Sequence, residues 1–84
     1  MDPVLVEEIS QLLVTELNLH RSPRELDPQA PLFGQGGLGL DSLDALQIAT
    51  AIEEKYGVRI PEGKEAHPIF QNIASLAAHV AASR

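Results

Sequence analysis

Apolar residues recur at helical spacing in three stretches of the chain and nowhere alternate strictly as in a strand. At ~100° per residue, Leu5, Val6, Ile9, Leu12, Leu13 and Leu17 form one broad stripe. That stripe predicts a first helix from about Pro3 to Leu19 with a core-facing side. Asp2 suits the N-cap and Pro3 the first helical position. Glu16 also falls inside the stripe, and the pattern gives no reason for a charge there.

A long connection follows, from about His20 to Leu40. Pro23, Pro28, Pro31 and four glycines rule out a long helix in it. Leu26, Leu32 and Phe33 are expected to pin it to the helices, with a short helical turn near Pro23 to Leu26. The second helix is expected to begin near Asp41 or Ser42 and run to Tyr56, with Gly57 as its stop. Val58 to Pro61 is too short and proline-bound for a sheet, and Glu62 to Ala66 has room for one helical turn. The last helix is expected after His67, with Pro68 at its first position. There Ile69, Ile73, Leu76 and Val80 step by three and four, flanked by Phe70 and Ala77. The expected fold is all-α: a small antiparallel four-helix bundle of three main helices and one short one, with a long first loop.

Composition narrows the function. With 84 residues there is room for one domain, residues 1–84, and a thin core built from Leu, Ile, Val and Ala, since Phe33, Tyr56 and Phe70 are the only aromatics. A chain this small rarely encloses a substrate pocket of its own, which favours a binding or carrier module over an enzyme. Without cysteine there is no disulfide, thiolate metal site or thiol nucleophile. Met1-Asp2-Pro3 lacks a basic region and an apolar signal stretch, and no apolar run reaches spanning length, so a cytoplasmic protein without membrane insertion is expected. The net charge of -6 opposes nucleic-acid binding and favours partners with basic surfaces.

The second helix does not fit a pure core element. Ala45, Ile48, Ala49, Ile52 and Tyr56 share one face, and Leu43, Gln47, Thr50 and Glu54 the other, with Asp44 and Ala51 at its edge. Leu43 is thus a large apolar residue on the polar side, next to Ser42. Single exposed leucines are ordinary. Ringed by Asp44, Glu53 and Glu54, Leu43 also reads as a docking contact for a partner bearing Arg and Lys. Asp44 alone could simply complement the helix dipole.

Two patterns fail on context. Gly34-Gln35-Gly36-Gly37-Leu38-Gly39 matches G-x-G-x-x-G, but no strand precedes it and no βαβ unit surrounds it. Leu40-Asp41-Ser42-Leu43-Asp44 is not the G-x-S-x-G elbow, and His20, His67 and His79 are too widely spaced to mark a base or a metal site. Neither catalysis nor a metal is expected.

Taken alone, Ser42 could be a helix cap. The wider window is more specific: Leu40-Asp41-Ser42-Leu43-Asp44-Ala45-Leu46, then Ile52-Glu53-Glu54-Lys55-Tyr56-Gly57-Val58 and Ile60-Pro61. It resembles acyl carrier proteins, end to end in helix spacing and long first loop. That resemblance implies transfer of 4′-phosphopantetheine from coenzyme A to the Ser42 hydroxyl by a phosphopantetheinyl transferase, with Asp41 and Leu43 flanking the attachment point. The arm's thiol then holds an acyl group as a thioester. The resemblance further implies that Leu43, Asp44, Gln47, Thr50, Glu53 and Glu54 face docking partners, namely the transferase, acyl-loading enzymes, ketosynthases and other biosynthetic enzymes. Leu46, Ile52 and Ile60 are the implied liners of an acyl pocket, which need not exist until an acyl group occupies it.

Gln47 and Thr50 stand where housekeeping fatty-acid carriers usually show an acidic and a large apolar residue, and the first loop is unusually rich in glycine. Both features point to a carrier of a specialised fatty-acid, polyketide (such as aryl-polyene) or lipid-tailoring pathway, and a monomer is expected. An aminoacyl or peptidyl carrier of nonribosomal synthesis and an unmodified helical interaction module remain the rivals.

Overall fold

The computed structural model describes residues 3–19, 22–33, 39–61 and 63–83. Asp2 as a cap, His20, the run from Gly34 to Leu38 and the start of the turn at Glu62 lie outside the described residues. Among the described residues four α-helices occur, in the order α1 (Pro3–Glu16), α2 (Ser42–Tyr56), α3 (Ala66–Ile69) and α4 (Ile73–Ser83). There is no strand among the described residues, only an isolated parallel bridge between Phe33 and Leu40. The all-α architecture of three main helices and one short helix is the expected one.

α1 packs against both α2 and α4. Its stripe of Leu5, Val6, Ile9, Leu12 and Leu13 meets Ile48 and Ile52 of α2 and Ile73, Leu76, Ala77 and Val80 of α4 in one buried cluster. Burial of such side chains is the main stabilising term, about 1.5–3 kcal/mol each relative to exposure. Ser10 lies within this apolar stripe, and its hydroxyl satisfies itself by donating to Val6 O at 2.8 Å.

Three boundaries and one face differ from the sequence expectation. α1 ends at Glu16 and not Leu19, because Asn18 takes a left-handed φ of 53° and the Leu19 N–H reaches back to Val14 O at 3.0 Å. This is a Schellman stop with Asn where Gly is commoner. Glu16 is therefore exposed in the last helical position.

The last helix is split. Pro68 sits inside the short α3, and α4 begins only at Ile73. Asn72 and Ser75 cap α4 reciprocally: Ser75 N–H donates to Asn72 Oδ1 at 2.7 Å and Asn72 N–H to Ser75 Oγ at 3.0 Å. Pro68 breaks nothing, since the first turn of a helix has no acceptors for its N–H groups.

The buried sector of α2 is also rotated. Ala51, expected at the polar edge, is buried with Ile48 and Ile52, while Ala45 and Ala49 are only half-buried.

The long first loop is fastened by the expected residues and by backbone bonds the pattern could not reveal. Leu26 and Leu32 are buried, and Phe33 meets Phe70 edge-on at 6.2 Å between ring centroids. A 3₁₀ turn, Pro23–Glu25, is capped by the Ser22 hydroxyl. Leu32 N–H donates to Gln71 O at 3.2 Å and Ala74 N–H to Pro28 O at 3.0 Å. The break between α3 and α4 thus presents the groups that hold the loop.

Candidate functional site

The chain reaches Ser42 through a buried anchor. Leu40 is in the core, and its N–H donates to Leu32 O at 3.0 Å. Asp41, with extended φ and ψ, is the N-cap of α2. Asp41 Oδ1 accepts from Asp44 N–H at 3.0 Å, and Asp44 Oδ2 accepts from Asp41 N–H at 3.1 Å. This reciprocal capping box fixes where the helix begins.

Ser42 is consequently the first helical residue and not the cap. Its side chain is exposed and makes no hydrogen bond among the described residues. With Asp44 N–H bound to the Asp41 side chain and Ala45 N–H to Asp41 O, the N–H groups of Ser42 and Leu43 have no acceptor among the described residues. Such donors, at the positive end of a 15-residue helix, suit a phosphate group. The site therefore fits a phosphodiester on Ser42: an open hydroxyl beside unpaired donors on a fixed backbone.

Because Asp41 supplies the N-cap side chain of α2, Asp41→Ala should destabilise the fold by ~1 kcal/mol in urea denaturation, while Asp41→Asn, which still accepts, should cost much less.

A cleft of ≈ 1110 Å³ opens beside Ser42, between α2 and the chain from Arg59 to Gln71. On the α2 side it is lined by Ser42, Ala45, Leu46, Ala49, Thr50 and Glu53. The facing wall includes Arg59, Ile60, Pro61, His67 and Phe70, with Phe33 and Leu40 at the loop end. This cleft explains the rotation of α2, because Ala45 and Ala49 face it and the core contact shifts toward Ala51. His79 Nε2 lies 3.2 Å from Arg59 O and ties the wall segment to α4.

The proposed site residues fall into three groups. Leu43, 71% exposed, stands with exposed Gln47 and Glu54 on the open side of α2. Asp44 is beside them, but its carboxylate is engaged in the capping box. Thr50 and Glu53 border the cleft, together with Leu46 and Ile60. Leu46 is 60% exposed there, an apolar side chain without a core role. Ile52 is fully buried in the bundle and does not line the cleft. Phe33, Arg59, His67 and Phe70 also border the cleft; nothing in the apolar pattern marks them as site residues, and only the fold brings them to Ser42. Among the described residues no cluster of His, Cys, Asp or Glu could hold a metal ion, and no helix is long and apolar enough to cross a membrane.

Comparison with known proteins agrees with this geometry. Residues 7–80 match the family model described as "Phosphopantetheine attachment site". A probable acyl carrier protein of Streptomyces halstedii is 40% identical over 62 residues, covering 74% of this chain and 66% of that protein. An acyl carrier protein of Helicobacter pylori is 36% identical over 58 residues, covering 69% of each chain. A probable acyl carrier protein of Streptomyces coelicolor is 40% identical over 62 residues, covering 74% of this chain and 68% of that one. The aligned stretch thus spans about two thirds of the length of each of these relatives.

Proposed function

The chain belongs to the phosphopantetheine-bearing acyl carrier protein family, and on that basis we propose that it holds acyl groups as thioesters on an arm attached to Ser42. The family's members are carriers and not enzymes, and their prosthetic group is 4′-phosphopantetheine. The group supplies the thiol chemistry, and this cysteine-free chain supplies the hydroxyl and the surface around it. The observation that carries the reading is the state of Ser42: exposed, first in its helix, relieved of capping duty by Asp41, and at the edge of a cleft. Incubation with a phosphopantetheinyl transferase and coenzyme A tests it, read by intact-protein mass. Gain of one phosphopantetheinyl group per chain is expected, and no gain under conditions that modify a control carrier refutes it.

In this reading residues 1–84 act as one carrier domain, because a single buried cluster draws on α1, α2 and α4 and the loop between, and the domain works as a cytoplasmic monomer. The pathway is a specialised fatty-acid, polyketide or lipid pathway; Gln47, Thr50 and the glycine-rich approach favour this over housekeeping fatty-acid synthesis.

Docking is assigned to the open side of α2. Leu43 supplies apolar area at the contact centre, while Asp44 and Glu54, within a chain of net charge -6, attract basic partner surfaces. Leu43→Ala should slow arm transfer by about tenfold or more, the size of a binding hot spot above 1 kcal/mol, without changing the urea midpoint. Unchanged transfer kinetics would remove Leu43 from the docking surface. Asp44→Lys is a poorer probe, because it also breaks the capping box.

A further inference from the structure

We propose that the cleft beside Ser42 favours acyl groups carrying a hydroxyl or carbonyl along the chain over saturated chains of equal length, and that Thr50 reads the difference. The inference rests on Ser42 bearing the arm and adds the chemical class of the cargo.

The bundle interior is already filled. Ile48, Ile52, Ile73, Leu76 and Val80 are at most 1% exposed, so without rearrangement of the core the open space next to the attachment point is the cleft outside them. From Ser42, α2 presents Leu46, Thr50 and Glu53 to that cleft, at roughly 6, 12 and 16.5 Å along the helix axis at 1.5 Å per residue. An acyl chain lying along α2 meets Ala45, Leu46 and Ala49 first and then a hydroxyl and a carboxylate. The opposite wall is similarly mixed, with Ile60 and Phe70 beside Arg59 and His67.

A saturated chain covering Thr50 removes water from its hydroxyl and returns no hydrogen bond, which is unfavourable. Glu53 has three side-chain torsions and is exposed, so its carboxylate can turn back to water. Thr50 is exposed too, but with one side-chain torsion and few rotamers on a helix its oxygen stays at the cleft border, and even with its proton turned to a carbonyl one turn back that oxygen still needs a donor. A hydroxyl or a carbonyl on the cargo meets the need equally, because the threonine hydroxyl both donates and accepts.

The test uses the holo-protein loaded with octanoyl or β-hydroxyoctanoyl groups. The rate of thioester cleavage by hydroxylamine is measured for each and divided by the rate for the same acyl group on free pantetheine. The β-hydroxy group should be protected about threefold more than the saturated one, the scale of one neutral hydrogen bond. Thr50→Val should abolish the preference and Thr50→Ser should keep it. Equal protection in the unaltered protein, or a preference that survives in Thr50→Val, overturns the inference while leaving Ser42 as the arm site. A mass measurement showing no arm on Ser42 overturns both.

Discussion

Ser42→Ala is expected to abolish arm attachment completely while leaving the fold as stable as before. The two halves of this expectation come from different atoms. The hydroxyl is the only group on the residue that can accept the phosphopantetheinyl group, so its loss should reduce the mass gain to none at any transferase concentration. The helix start depends on Asp41 and Asp44 instead, whose carboxylates take each other's backbone N–H groups. Ser42 Oγ has no hydrogen bond to lose among the described residues, and alanine is a better helix former than serine by a few tenths of a kcal/mol. The urea midpoint should therefore stay level or rise slightly. A clear fall in stability would mean that the hydroxyl has a structural role, and a persistent mass gain would move the attachment point elsewhere.

Ile48→Ala should have the largest effect on stability, and Leu46→Ala, two residues away on the same helix, almost none. Ile48 is 0% exposed at the junction of α2 with the core, while Leu46 is 60% exposed at the cleft. Truncating a fully buried isoleucine costs about 2–5 kcal/mol through lost transfer energy and the cavity left behind. A surface truncation stays within about 0.5 kcal/mol. For a small domain, whose total stability lies toward the lower part of a 5–15 kcal/mol range, the first loss leaves a measurable unfolded fraction in buffer. Equal shifts in the two urea midpoints would show that Leu46 is packed in solution and that the cleft is closed.

The core and the helix order were legible because they depend on periodicity. The α1 stripe, Gly57 as the stop of α2 at a φ of 67°, and the loop anchors Leu26 and Leu32 all match the pattern. What escaped was decided by single polar side chains or by distant contacts. Asn18 ends α1 early, and the reciprocal cap of Asn72 and Ser75 starts α4 well after Pro68. The cleft was illegible for another reason. Its walls come from segments whose proximity is a tertiary fact, and a helix face turned toward a cleft has the same alanine-rich composition as one turned toward a core. That is why Ala45 and Ala49 read as buried and Ala51 did not. The proposed attachment serine is readable only through its wider sequence window; its freedom from capping is visible with the Asp41 geometry.

Tyr56 closes the far end of α2, where its hydroxyl donates to Glu8 Oε1 of α1 at 2.8 Å and its ring lies 5.6 Å from Lys55 Nζ. It is also the sole tyrosine in a chain without tryptophan. The near-ultraviolet absorption and emission of the whole molecule therefore originate almost entirely from one phenol at the α1–α2 junction. The protein carries a built-in optical gauge of that junction, remote from Ser42. Cargo resting against the cleft should leave its spectrum unaltered, whereas cargo that pries the two helices apart should change it, with no label added.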